Sequence, residues 1–189
     1  MTEQVRTGMS LEDFDRLPER VEYIDGEVIA LSPAKVKHAY RANRLAKILL
    51  QFLNDHPLGE VFVELPFTML ESSSWVTGSR TPDVSFYTAE GWAVYTSAYP
   101  DWEDRIFTLA PDLAVEFVSD NDDLKQVFRK AEGYLADGVQ QVWVIDPAAP
   151  ILYAFAPNRP EILRVRGDET LSGGAILPGF TLDMAALFA

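Results

Sequence analysis

The strongest restriction on the fold lies between residues 113 and 147. Two apolar, β-prone runs, LAVEFVS at 113–119 and VQQVWVIDP at 139–147, are separated by one segment with helical periodicity. A strand followed by a helix and a second strand of the same sheet needs a crossover, which makes the two strands a parallel pair. In the intervening helix Leu124, Ala131, Tyr134 and Leu135 fall within roughly 80° of Val127, and Gly138 supplies the stop.

Elsewhere the patterns are helical or antiparallel. SLEDFDRLPE pairs Ser10 with Asp13 as a variant capping box and predicts a short helix to about Leu17, stopped near Pro18. VEYIDGEVIAL predicts a hairpin with a type I′ turn at Asp25-Gly26. Residues 35–54 form the clearest helix, with Leu45, Ile48, Leu49 and Phe52 as its apolar stripe. A strand over residues 60–69, EVFVELPFTM, is followed by a polar connection, ESSSWVTGSR, and a short strand, TPDVSFY. Residues 88–110 read as a long mixed loop with room for a short helix. ILYAFAP is a further strand, and GGAILPGFTLDMAALF closes with a short strand and a helical turn. There are no repeats and no long linker. The expectation is one α/β domain over residues 1–189: a mixed sheet flanked by helices, led by an N-terminal helix and a β-hairpin.

The chain has no cysteine, which excludes disulfides, thiolate zinc sites and cysteine nucleophiles, and its two histidines argue against a multi-histidine metal site. MTEQVRTGMSLEDF has no apolar signal region and no run approaches the ~18 residues of a membrane span, so a cytoplasmic protein without membrane contact is expected. The formal net charge of −13 argues against coating nucleic acid through bulk electrostatics. It leaves room for a local basic surface, and it fits a carboxylate site that needs a divalent cation.

One glutamate interrupts the apolar run AVEFVS. A lone carboxylate in a core costs several kcal/mol unless it is paired or neutralised. Alternation puts Glu116 on the strand face opposite Leu113, Val115 and Phe117. If the strand beginning at Asp83 is its neighbour, the two carboxylates converge, and oxygen-only ligation of that kind suits magnesium or manganese. On the following helix Lys130 lies about 60° from the centre of the apolar stripe, at the border from which an ammonium reaches back over the sheet. Each residue also has an ordinary reading: Glu116 as a salt-bridged structural carboxylate, Asp83 as a turn residue after Pro82, Lys130 as a surface lysine laid along apolar surface. Glu64 also interrupts a strand; no partner suggests itself and an exposed face is expected.

The long helix carries Lys37, Arg41, Arg44 and Lys47, with no acidic residue between 35 and 54. This basic stripe is a candidate for phosphate contact, or a solvated face paired with the acidic loops. His38, in the first turns of that helix, reads either as a substrate contact or as a half-buried histidine. Trp75, Trp92, Trp102 and Tyr99 fall in or near predicted loops and suit base stacking or an oligomer interface.

PDV at 82–84, PDLAVEFVS at 111–119, the lysine and tyrosine of KAEGYLADGVQQVWVIDP, the closing LPGF and the leading YIDGEVIALSP together resemble the Uma2 family, also called DUF820. The resemblance runs from about Leu11 to Phe188. It implies the restriction-endonuclease-like core of the PD-(D/E)XK nuclease superfamily. It also implies metal ligation by Asp83 and Glu116 and a catalytic lysine. The superfamily lysine stands two residues after the glutamate, where this chain has Val118; the family pattern places it on the next helix, which matches Lys130. The same pattern puts a glutamate in the leading hairpin, matching Glu27. SDND at 119–122 departs from the Ser-Pro-Ser type of turn at the mouth of the site.

The expected function is therefore Mg2+- or Mn2+-dependent hydrolysis of nucleic acid, DNA first, with Asp83, Glu116, Lys130 and Glu27 catalytic. Asp83 and Glu116 would be the metal ligands, and Lys37, His38, Arg41 and Arg44 would contact substrate, in a homodimer. The alternative is a catalytically inactive module of the same fold, used for binding or assembly.

Overall fold

The computed structural model describes residues 8–33, 35–119, 122–157 and 159–188. They fall into two compact units. The first takes residues 8–33, Pro66–Thr81 and Asp101–Leu109; the second takes residues 35–65, Pro82–Pro100 and the described residues from Ala110 onwards.

The first unit contains β1 (Met9–Ser10), α1 (Leu11–Asp15), β2 (Val21–Ile24), β3 (Glu27–Ala30), β5 (Phe67–Ser72) and β6 (Trp75–Arg80). Strand β6 pairs antiparallel with β1, β2 and β5, and β2 pairs with β3. The hairpin turns where it was expected, with Asp25 at φ 51° and Gly26 at φ 87°, the left-handed pair of a type I′ turn. Ser10 caps α1 by accepting the Asp13 N–H at 3.1 Å. Tyr23, Phe67, Val76 and Phe107 form the buried apolar contribution, and the buried Glu22 carboxylate accepts the Thr81 N–H at 2.9 Å.

Two sequence expectations fail here. EVFVELPFTM is not one strand: β4 (Gly59–Val63) and β5 belong to different sheets. Glu64 takes a left-handed φ of 53°, and Pro66 has no N–H to donate to a ladder. ESSSWVTGSR is not a polar connection either; its Trp75–Arg80 portion is β6, paired along β5.

The second unit is a six-stranded mixed sheet in the order β11-β10-β9-β8-β7-β4. Its further elements are α2 (Val36–Asp55), β7 (Val84–Thr88), α3 (Ala89–Ala98), β8 (Leu113–Phe117) and α4 (Leu124–Ala136). They are followed by β9 (Gln141–Asp146), β10 (Ile151–Ala156) and β11 (Arg159–Arg166). A small antiparallel pair, β12 (Thr170–Ser172) and β13 (Thr181–Asp183), precedes α5 (Met184–Phe188). The β8–β9 pair is parallel and α4 makes the crossover, as the sequence required. Ala42, Leu45, Ala46, Leu49 and Leu53 of α2 join Leu113, Val115 and Phe117 in the core. Ile48 and Phe52 are only partly buried, because the small Ala42 and Ala46 centre the contact face beside them.

The loop expected over 88–110 contains the ten-residue α3, capped by Thr88, whose hydroxyl accepts the Gly91 N–H at 3.3 Å. Trp92 is helical and packs on Phe62 at 5.2 Å, and Trp75 is in a strand; neither is a loop aromatic. The β11 strand has no counterpart in the sequence reading. Its charged Arg159, Glu161, Arg164 and Arg166 and its Pro160 are tolerated because it is an edge strand. Of the 119–122 turn, Asp120 and Asn121 lie outside the described residues. No helix among the described residues is long and apolar enough to cross a membrane.

Candidate active site

Strands β7 and β8 are antiparallel neighbours with Val84 opposite Val115, so one further step sets Asp83 opposite Glu116. Asp83 stands one residue before β7 and reaches across to its neighbour: Oδ2 accepts the Phe117 N–H at 2.7 Å. Its other oxygen lies 2.8 Å from His38 Nε2. On the α4 side, Glu116 Oε1 accepts the Tyr134 hydroxyl at 2.5 Å and the Lys130 ammonium at 3.0 Å. Glu116 is only 8% exposed, so an ammonium and a phenol are the compensation its burial requires.

The sheet places these groups because residues alternate. Leu113, Val115 and Phe117 enter the core with α2, which turns Glu116 toward α4. In α4, Lys130 and Tyr134 are one turn apart and both reach Glu116. His38 sits on the core-facing side of α2, one turn before Ala42, with its ring edge 6.2 Å from Phe117.

The imidazole of His38 is held above its ordinary pKa of 6.5, first by the bond to Asp83. Burial opposes this, and the charges of Asp83, Glu116 and Glu64 reinforce it. In the cation-free protein His38 is expected to titrate above 6.5 and to fall in Asp83→Asn. An NMR pH titration with a wild-type midpoint at or below 6.5 would contradict the contact. Because the folded value is raised, the contact adds stability that is complete below the unfolded pKa and lost as pH rises through the folded one.

Glu64 corrects an expectation. It is half-buried, its N–H donates to the Asp83 carbonyl at 3.2 Å, and its charge acts on His38. The signal available in the sequence was Pro66, which ends the strand just beyond it. Tyr134 was read as part of an apolar stripe; its hydroxyl is a polar member of the site. Glu27 opens β3 in the first unit and is exposed there, and the resemblance alone speaks for it.

The basic stripe divides. Lys37 and Arg41 join Lys35 and His38 along a cleft of about 30 Å3 whose far wall includes Phe117 and Ser119. Arg44 instead donates from Nε to the Ala186 carbonyl of α5 at 2.8 Å, so the stripe is not one continuous free surface.

Among the described residues no three His, Cys, Asp or Glu side chains are grouped to hold a metal ion. Asp83, engaged by His38 of α2, and Glu116, engaged by Lys130 and Tyr134 of α4, are both oxygen donors of the kind a hard divalent cation takes, and such a cation would need water, a backbone carbonyl or substrate phosphate to complete its shell. Mg2+ is commonly bound in this way.

The family model described as Uma2, "Putative restriction endonuclease", matches residues 11–185. A solved structure, described as that of "a putative nuclease belonging to DUF820" from Anabaena variabilis, covers 95% of this chain and 97% of its own at a TM-score of 0.76. The sequences are 24% identical, so the likeness is one of fold. No curated protein matches the chain.

Proposed function

Because this chain belongs to the Uma2 family, whose model spans residues 11–185, we propose that it is a metal-dependent endonuclease hydrolysing phosphodiester bonds of nucleic acid, DNA first. The observation that carries the reading is the pairing of Lys130 with Glu116 at 3.0 Å, one strand from the Asp83 carboxylate. Asp83 and Glu116 would hold Mg2+ or Mn2+, which when bound lowers the pKa of its water and polarises the phosphate. The remaining work belongs to side chains. Lys130 positions the attacking water and offsets the charge that builds on the phosphoryl oxygens. Tyr134 holds the Glu116 carboxylate in place. His38 fixes Asp83 against the Phe117 N–H, and Lys37 and Arg41 draw in the phosphate backbone.

The net charge of −13 supports a second reading, a catalytically inactive, homodimeric module for binding or assembly. Such a module has no need to hold a lysine against a buried glutamate. Purified protein is expected to nick supercoiled plasmid in low salt with Mn2+ and not with EDTA. It should also melt several degrees higher with millimolar Mn2+, since a ligand at 100 times its Kd adds about 2.7 kcal/mol. No nicking together with no thermal shift would favour the module.

A further inference from the structure

The cleft beside His38 contains a group that the carboxylate chemistry does not use. Arg41 is half-buried and has no hydrogen-bond or carboxylate partner among the described residues. The chain has 29 acidic residues against 16 basic ones, so a sheltered guanidinium with no acid on it among the described residues is unusual here. Partial desolvation of a cation is unfavourable unless an anion arrives. Arg41 follows His38 by three residues, about 60° around α2, so both face the same cleft. His38 also touches Asp83 at 2.8 Å, which leaves one imidazole between the cleft and the carboxylate pair. The volume of about 30 Å3 exceeds the ~10–15 Å3 that one water needs.

We propose that this cleft is a subsite for a single phosphate of a polynucleotide strand, the neighbour of the phosphate at Asp83 and Glu116, with Arg41 as its principal contact. The identity of that phosphate rests on the nuclease reading. A guanidinium suits the task because it offers a planar fork of donors to a phosphate's oxygens and stays charged at any working pH. Lys35 and Lys37 lie at the exposed rim, where salt screens their contribution. The consequence is a substrate class: strands with at least two successive phosphates, in preference to dinucleoside monophosphates, which leave the cleft empty.

The test is binding of a fluorescent 12-nucleotide strand, with Ca2+ replacing Mn2+, to wild type, Arg41→Gln and Arg129→Gln. Arg129 is exposed on α4, away from the cleft, and its loss removes the same charge. The expected result is about a tenfold loss for Arg41→Gln, with the slope of log K against log salt reduced by about one, and less than a twofold change for Arg129→Gln. Strand binding that is equal in wild type and Arg41→Gln overturns the subsite and leaves the nuclease reading standing. In a second arm, inorganic phosphate is titrated into wild type while the Arg41 Nε–H is followed by NMR, which needs no variant to fold. A shift of that signal without any strand binding keeps an oxyanion site and removes its assignment to nucleic acid. No shift and no strand binding overturns both.

Discussion

Asp83→Ala is expected to lower Mn2+-dependent cleavage by about 10³-fold or more, the scale on which loss of one essential electrostatic group acts. The substitution also removes the acceptor of the Phe117 N–H, and an orphaned buried donor costs about 1–3 kcal/mol. Asp83→Asn separates the two effects. Its amide oxygen still accepts from Phe117, while the charge that holds a cation and His38 is gone. Both variants should lose cleavage and the Mn2+-induced rise in melting temperature, but Asn should melt closer to wild type. Lys130→Ala in the same assays should lose cleavage and keep the Mn2+ effect. Retained cleavage in pure Asp83→Asn would remove Asp83 from the chemistry.

Trp143→Ala is expected to have the largest effect on stability, about 3–5 kcal/mol, or roughly 10 °C in melting temperature. Trp143 is fully buried in β9, and its ring stacks on Phe180 with 6.5 Å between centroids. Its indole N–H finds no acceptor among the described residues. Trp143→Phe loses ring volume but also removes that unsatisfied donor, so it should cost clearly less than Ala. Equal losses for Phe and Ala, read by thermal or urea unfolding, would show that the N–H is satisfied in solution.

The two substitutions test different kinds of information in the chain. The place of Trp143 was legible, because β9 is an apolar run reached through a crossover helix, and that pattern allows little besides a buried parallel strand. Lys130 was legible for a similar reason: a helical wheel put it at the edge of the apolar stripe, and in the structure it reaches Glu116. The β5–β6 hairpin was not legible. Its second strand follows a serine-rich turn and alternates Val76 with Thr77 and Gly78, which scores as a polar loop until its pairing with Phe67–Ser72 is known. β11 was hidden by the charges and proline that an edge strand accepts. For Glu64 the sequence offers only Pro66 as a sign that the strand ends there; that its N–H meets the Asp83 carbonyl is set by the fold.

Read alone, the sequence determined what short-range periodicity and backbone chemistry control: the amphipathic helices, the type I′ hairpin, the parallel pair and the face on which Glu116 emerges. The tertiary structure decided which groups satisfy the carboxylates. His38 meets Asp83 across 45 residues of chain, and Phe117 meets it across 34. Tyr134 and Lys130 converge on Glu116 only once α4 lies on the sheet. Periodicity is a property of successive residues, whereas compensation of a buried charge depends on distance and solvent exclusion, which arise only when strand register and helix packing bring remote residues together.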